Sequence, residues 1–117
     1  MIRRLALATL LLATSALALA GDHATGDVLR AAISGNTVQG SMSASGAYAE
    51  HYTADGVIKA ADYSGTWTIS ADSMCFVYDQ AAPDCWTARI VGDQITWLKN
   101  GAEGGTGSIL PGNPNGF

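Results

Sequence analysis

From residue 36 onward, apolar and polar residues alternate with the period of a β-strand. Tyr63, Gly65, Trp67 and Ile69 fall on one face of a strand, and Ser64, Thr66, Thr68 and Ser70 fall on the other. That pattern marks a strand buried on one side only. Met74, Phe76 and Tyr78 share a face in the next segment, as do Trp86, Ala88 and Ile90, and then Ile95 and Trp97. These positions are the expected core. The strands read as Thr37–Ser43, Ala47–Thr53, Val57–Ala60, Tyr63–Ser70, Ser73–Tyr78, Cys85–Val91, Gln94–Lys99 and Thr106–Leu110. Asp55-Gly56, Ala71-Asp72, Ala82-Pro83-Asp84, Gly92-Asp93 and Asn100-Gly101 separate them. Gly, Asn and Asp tolerate the positive φ of tight hairpin turns. Short strands at spacings of about ten residues, with no long crossover, predict an all-β fold. The expectation is a small antiparallel meander barrel of about seven to eight strands.

Within residues 21–117, only Thr25 to Ile33 has a helical period. Thr25 or Asp27 can cap it, Val28, Leu29, Ala32 and Ile33 form an apolar stripe, and Gly35 can end it. A helix this short persists only by packing on something else.

The first twenty residues have a different character. Arg3 and Arg4 precede an apolar run from Leu5, and Ala18-Leu19-Ala20 is a small-x-small cleavage site. That tripartite pattern is a secretory signal peptide. The apolar run is sixteen residues, short of the ~20 that span a bilayer. The expected organisation is therefore 1–20 as a removed signal peptide, 21–35 as an N-terminal segment with the short helix, 36–110 as the barrel, and 111–117 as an extended tail. Such a chain is periplasmic or secreted, with no membrane anchor after cleavage.

Export bears on the cysteines. Two Cys in an exported chain favour a disulfide. In a hairpin turning around Gln80, Cys75 lies opposite Cys85 and Met74 lies opposite Trp86. The sulfurs then share the face turned away from the aromatic core, within bridging range. Export also shifts the charge. The whole chain has six basic and ten acidic residues, a formal net charge of −4. Losing Arg3 and Arg4 makes it −6. So acidic a chain, with no basic stripe, is a poor partner for nucleic acid.

Candidate chemistry is sparse. Cleavage after Ala20 exposes Gly21-Asp22-His23, whose α-amine, two amides and imidazole can surround Cu(II) or Ni(II) in a plane. His51 stands between Glu50 and Tyr52, but Glu50 and His51 point to opposite faces of their strand and cannot share an ion. His51 reads instead as a surface or hydrogen-bonded residue. No nucleophile elbow, paired Cys-x-x-Cys or acid–base pair appears, so no catalytic residue is assigned and the chain reads as non-catalytic. Gly104-Gly105-Thr106-Gly107 lacks the Lys and helix of a phosphate loop and reads as a flexible hairpin connection. Tyr63, Trp67, Phe76, Trp86 and Trp97, with Tyr48, Tyr52 and Tyr78, either line a ligand cavity or fill the core. Filling is the expectation, because a cavity costs a 97-residue domain stability it can ill spare.

Tyr63-Ser-Gly-Thr-Trp67, Met74-Cys75-Phe76, Cys85-Trp86, Trp97 and Pro111-Gly-Asn-Pro-Asn-Gly116 are similar to a family of small exported bacterial β-barrel proteins with no assigned activity. That resemblance covers Gly35 to the C-terminus. Gly65-Thr66-Trp67 also resembles the Gly-x-Trp element of lipocalins and avidins, although lipocalins carry it in their first strand. The bacterial metalloprotease inhibitors share Gly65-x-Trp67, a Cys pair and an N-terminal segment. Their Cys are not so close together, and no inhibitory residue carries over. These observations set the functional expectation: a binding module for a small ligand or a protein partner. Two alternatives stay open, a secreted inhibitor of another protein such as a protease, and a Cu(II) or Ni(II) site at Gly21, Asp22 and His23.

Overall fold

Turn chemistry cuts the chain into the expected segments. The computed structural model describes residues 22–117, so the expected signal peptide at 1–20 and Gly21 lie outside the described residues. The described residues form a helix, α1 (Gly26–Ile33), then β1 (Thr37–Met42), β2 (Gly46–Tyr52), β3 (Val57–Lys59) and β4 (Ser64–Ser70). There follow β5 (Ser73–Val77), β6 (Asp84–Val91), β7 (Gln94–Lys99) and β8 (Ala102–Leu110). Each strand pairs antiparallel with the next, and β8 returns to pair with β1, so the eight close into a barrel. Closure removes the exposed edges that an open sheet would present. Asn100 and Gly101, at φ 51° and 79°, make the double positive-φ turn between β7 and β8.

An antiparallel meander sorts its hairpins to two ends. The β1–β2, β3–β4, β5–β6 and β7–β8 connections gather at one end. The other end holds the remaining turns and α1. The helix is fastened there by several local contacts. The Thr25 hydroxyl accepts from the Val28 amide at 3.3 Å, and Asp72 Oδ1 accepts from the Gly26 amide at 2.9 Å. The Ala24 amide donates to the Ala88 carbonyl at 2.7 Å. Gly26 approaches the β4–β5 turn so closely that a β-carbon would lie 2.0 Å from the Ala71 carbonyl oxygen. Leu29 and Ile33 are fully buried and join Val38, Tyr52, Ile58, Trp67 and Met74 in the core. Thus α1 plugs one end of the barrel, which is how a two-turn helix persists.

The disulfide sits where the register puts it. Cys75 faces Cys85 and Met74 faces Trp86 across β5 and β6, and the Cys75–Cys85 bond is formed.

Two expectations are corrected. Gly104-Gly105-Thr106-Gly107 is not a flexible connection: it lies within β8, which begins at Ala102 rather than Thr106. Its glycines answer to close approach. A β-carbon at Gly104 would lie 2.4 Å from the Trp86 ring, and one at Gly107 would lie 2.5 Å from the Tyr48 hydroxyl. The segment 111–117 is not extended but folds into a turn. Asn113 Nδ2 donates to the Phe117 carbonyl at 2.8 Å, and the Phe117 amide donates back to Asn113 Oδ1 at 3.1 Å. The turn is pinned to the start of the barrel by Thr37, whose hydroxyl donates to the Gly112 carbonyl at 2.7 Å. An Asn side chain that offers the backbone its own partners favours such a turn over an extended tail.

Candidate ligand-binding site

Among the described residues nothing plugs the end opposite α1. There the barrel opens into a cavity of about 550 Å³, walled by β1, β2, β5, β6, β7 and the start of β8. An eight-stranded barrel has an interior wide enough to hold one small ligand when its side chains do not fill it. Of the aromatic set, Trp67, Phe76 and Trp97 are packed into the buried core as expected, while Phe76 and Trp97 also form part of the cavity wall. Trp67 is buried in the core, with its indole N–H donating to the Thr53 carbonyl at 3.0 Å and the Arg30 guanidinium 5.8 Å from its ring. Phe76, Trp86 and Trp97 line the cavity, and Tyr63 stands at its mouth, 44% exposed rather than in the core.

These rings are braced against one another. Phe76 meets Trp97 edge-on, with centroids 5.4 Å apart, and stacks on Tyr78 at 6.4 Å. Tyr63 meets Tyr78 edge-on at 5.9 Å. The Trp97 indole donates to the Tyr48 hydroxyl at 3.0 Å, which donates in turn to the Thr106 carbonyl at 3.1 Å. The Trp86 indole donates to Asp84 Oδ2 at 3.0 Å, and Lys99 lies 4.8 Å from the Trp86 ring. Lys99 is ion-paired with Asp84, which holds the Asp84 carboxyl below its usual range. Geometrically restrained aromatics of this kind supply a large apolar surface without collapsing into the space between them.

The residue that sequence reasoning missed is Glu50. It lies on the inner face of β2, between Tyr48 and Tyr52, and is 5% exposed. Its Oε1 accepts the Tyr52 hydroxyl at 2.7 Å, and its Oε2 accepts the Tyr78 hydroxyl at 2.7 Å. Every tyrosine of the chain feels it. Burial, the largest cause in each case, raises the phenols of Tyr48, Tyr52, Tyr63 and Tyr78 above their ordinary value, and the charge of Glu50 raises them further. The four hydroxyls thus stay neutral hydrogen-bond donors. The signal was present in Tyr48-Ala-Glu50-His-Tyr52, where alternation puts an acid on the same face as two rings.

His51 takes the opposite face, as expected. It is buried at the barrel's outer surface, with Nδ1 3.1 Å from both the Thr37 hydroxyl and the Gly112 carbonyl. The expected metal site is split by the limit of the described residues. Gly21 lies outside them, and the His23 imidazole sits 3.4 Å from Asp72 on the helix-plugged side of the barrel. Among the described residues no group of three His, Cys, Asp or Glu comes together as a metal site.

No family model, curated protein or solved structure matches this chain. The class that the fold itself defines is a closed, eight-stranded antiparallel barrel, plugged at one end by a helix and open at the other.

Proposed function

We propose that this chain is an exported, non-catalytic binding protein that holds a small, largely apolar ligand in the open half of its barrel. One observation carries the reading: a cavity of about 550 Å³ walled by rings and containing a buried, hydrogen-bonded carboxylate. Ligand pockets are characteristically of this size, mostly apolar, with few polar groups to orient the guest. A protein-binding or inhibitory role needs no such interior, so the ligand reading takes precedence. The leader at residues 1–20 and the disulfide both suit a periplasmic or secreted location.

Titration of the protein with N-phenylnaphthylamine, an apolar fluorescent probe, tests this reading. Saturable one-to-one binding with quenching of tryptophan emission is expected, since Trp86 and Trp97 line the space. Emission unchanged up to the solubility limit of the probe would overturn the reading.

A further inference from the structure

Resting on the cavity reading, we infer that the ligand is an organic cation: an amine whose ammonium group pairs with Glu50 and whose apolar body lies among the rings. The argument begins with an imbalance of charge. Buried carboxylates are normally matched by a basic side chain, because taking a charge out of water is costly. Among the described residues Glu50 is matched by phenol hydroxyls, those of Tyr52 and Tyr78 with that of Tyr63 close by, and by no basic group. The four basic side chains among the described residues are all engaged elsewhere or exposed. Arg30 lies over Trp67, Arg89 pairs with Glu103, Lys99 pairs with Asp84, and Lys59 is exposed on β3.

The cavity wall repeats the imbalance. Glu50, Asp79 and Asp84 line it, and among the described residues no Lys or Arg does. Lys99 lies over the Trp86 ring. It is held by Asp84 and by the Cys85 carbonyl at 2.9 Å, which ties its charge to the wall. An anionic guest would meet a carboxylate with no cation to receive it. A neutral guest would leave that charge without a counter-ion.

The aromatic lining points the same way. Ring faces attract ammonium and quaternary ammonium groups, and several rings around one carboxylate form a cage for a desolvated cation. Tyr52 and Tyr78 fix the carboxylate by one oxygen each, and even with the Tyr63 phenol close by a carboxylate's four acceptor sites leave one for an incoming N–H donor. Charge, rings and a free acceptor site converge on one chemical class.

The test uses three probes of one shape, naphthylmethylammonium, naphthylmethanol and naphthoate, titrated calorimetrically into the mature protein and into Glu50→Gln. The ammonium is expected to bind about tenfold or more tighter than the alcohol, with naphthoate weakest. In Glu50→Gln the ammonium should fall to the level of the alcohol while the alcohol is unchanged. If the alcohol binds the wild type as tightly as the ammonium, or the preference survives in Glu50→Gln, the cation inference is overturned and the cavity reading stands. If none of the three binds, and N-phenylnaphthylamine does not either, both fall. Should Glu50→Gln fail to fold, the wild-type preference between ammonium and alcohol decides alone.

Discussion

The Tyr52 hydroxyl donates to Glu50 Oε1 at 2.7 Å, although the two residues are only two apart on the same strand. Neighbours on one face of a strand stand side by side, so a long phenol can reach back to the carboxylate beside it. The pair is buried, and the Tyr78 hydroxyl completes it from just beyond the end of β5. A charge-assisted bond in such a place is strong, and a buried carboxylate deprived of one donor is costly. Tyr52→Phe is expected to lower stability by about 1–3 kcal/mol. The same substitution made in Glu50→Gln should cost roughly half as much, because the acceptor is then neutral. A double-mutant cycle by denaturant unfolding measures the difference, and a zero coupling would contradict the charge-assisted bond.

Alkaline titration reports on the same cluster. The phenols of all four tyrosines are raised in the folded state, first by burial and then by the Glu50 charge. The unfolded chain therefore gives up its phenolic protons first, near pH 10. Stability from this source is complete below that pH and is lost as pH rises above it, where the folded state holds more protons than the unfolded. Tyrosinate absorbance should stay low in the native protein at about pH 10 to 11 and appear together with unfolding. Independent ionisation of four phenols at the ordinary value would contradict it.

Cys75 and Cys85 are joined within one hairpin, closing a separation of ten residues. Cross-linking so short a loop contributes about 2–3 kcal/mol through the unfolded state. Replacing both with Ser should lower the free energy of unfolding, measured by denaturant titration, by that amount. The near-ultraviolet circular dichroism of the tryptophans should be retained, because the bridge joins strands already paired by hydrogen bonds.

Gly104 faces the Trp86 ring with no room for a methyl group. Gly104→Ala is expected to cost about 1–3 kcal/mol and to displace that indole, changing its emission. Thr106→Ala, at an exposed position of the same strand, should stay within roughly 0.5 kcal/mol of wild type. Equal effects at the two positions would show that the glycine serves the strand backbone rather than the ring.

Much of this architecture was readable along the chain. Each of the eight strands falls within a few residues of where alternation and turn residues put it, and α1 starts at the Thr25 cap. Those features are local: a period of two, a positive-φ pair such as Asn100-Gly101, a hydroxyl reaching three residues on. The misreadings lie where distant segments meet. Gly104 to Gly107 looked like a linker because nothing nearby in sequence shows the Trp86 and Tyr48 rings that need the space. Tyr63 shares a strand face with Trp67, yet it ends at the mouth because alternation assigns a face and not a depth along the barrel.

By itself, the sequence determined the strands, the register of the β5–β6 hairpin and the partnership of Cys75 with Cys85, all consequences of short-range geometry. A closed barrel was also expected from the strand pattern; only the tertiary structure decided that the other end stays open and that Tyr52 and Tyr78 converge on Glu50 beneath it. The reason is physical: pairing between neighbours is set by the turn that joins them, whereas a cavity is the space that residues far apart in the chain leave unfilled.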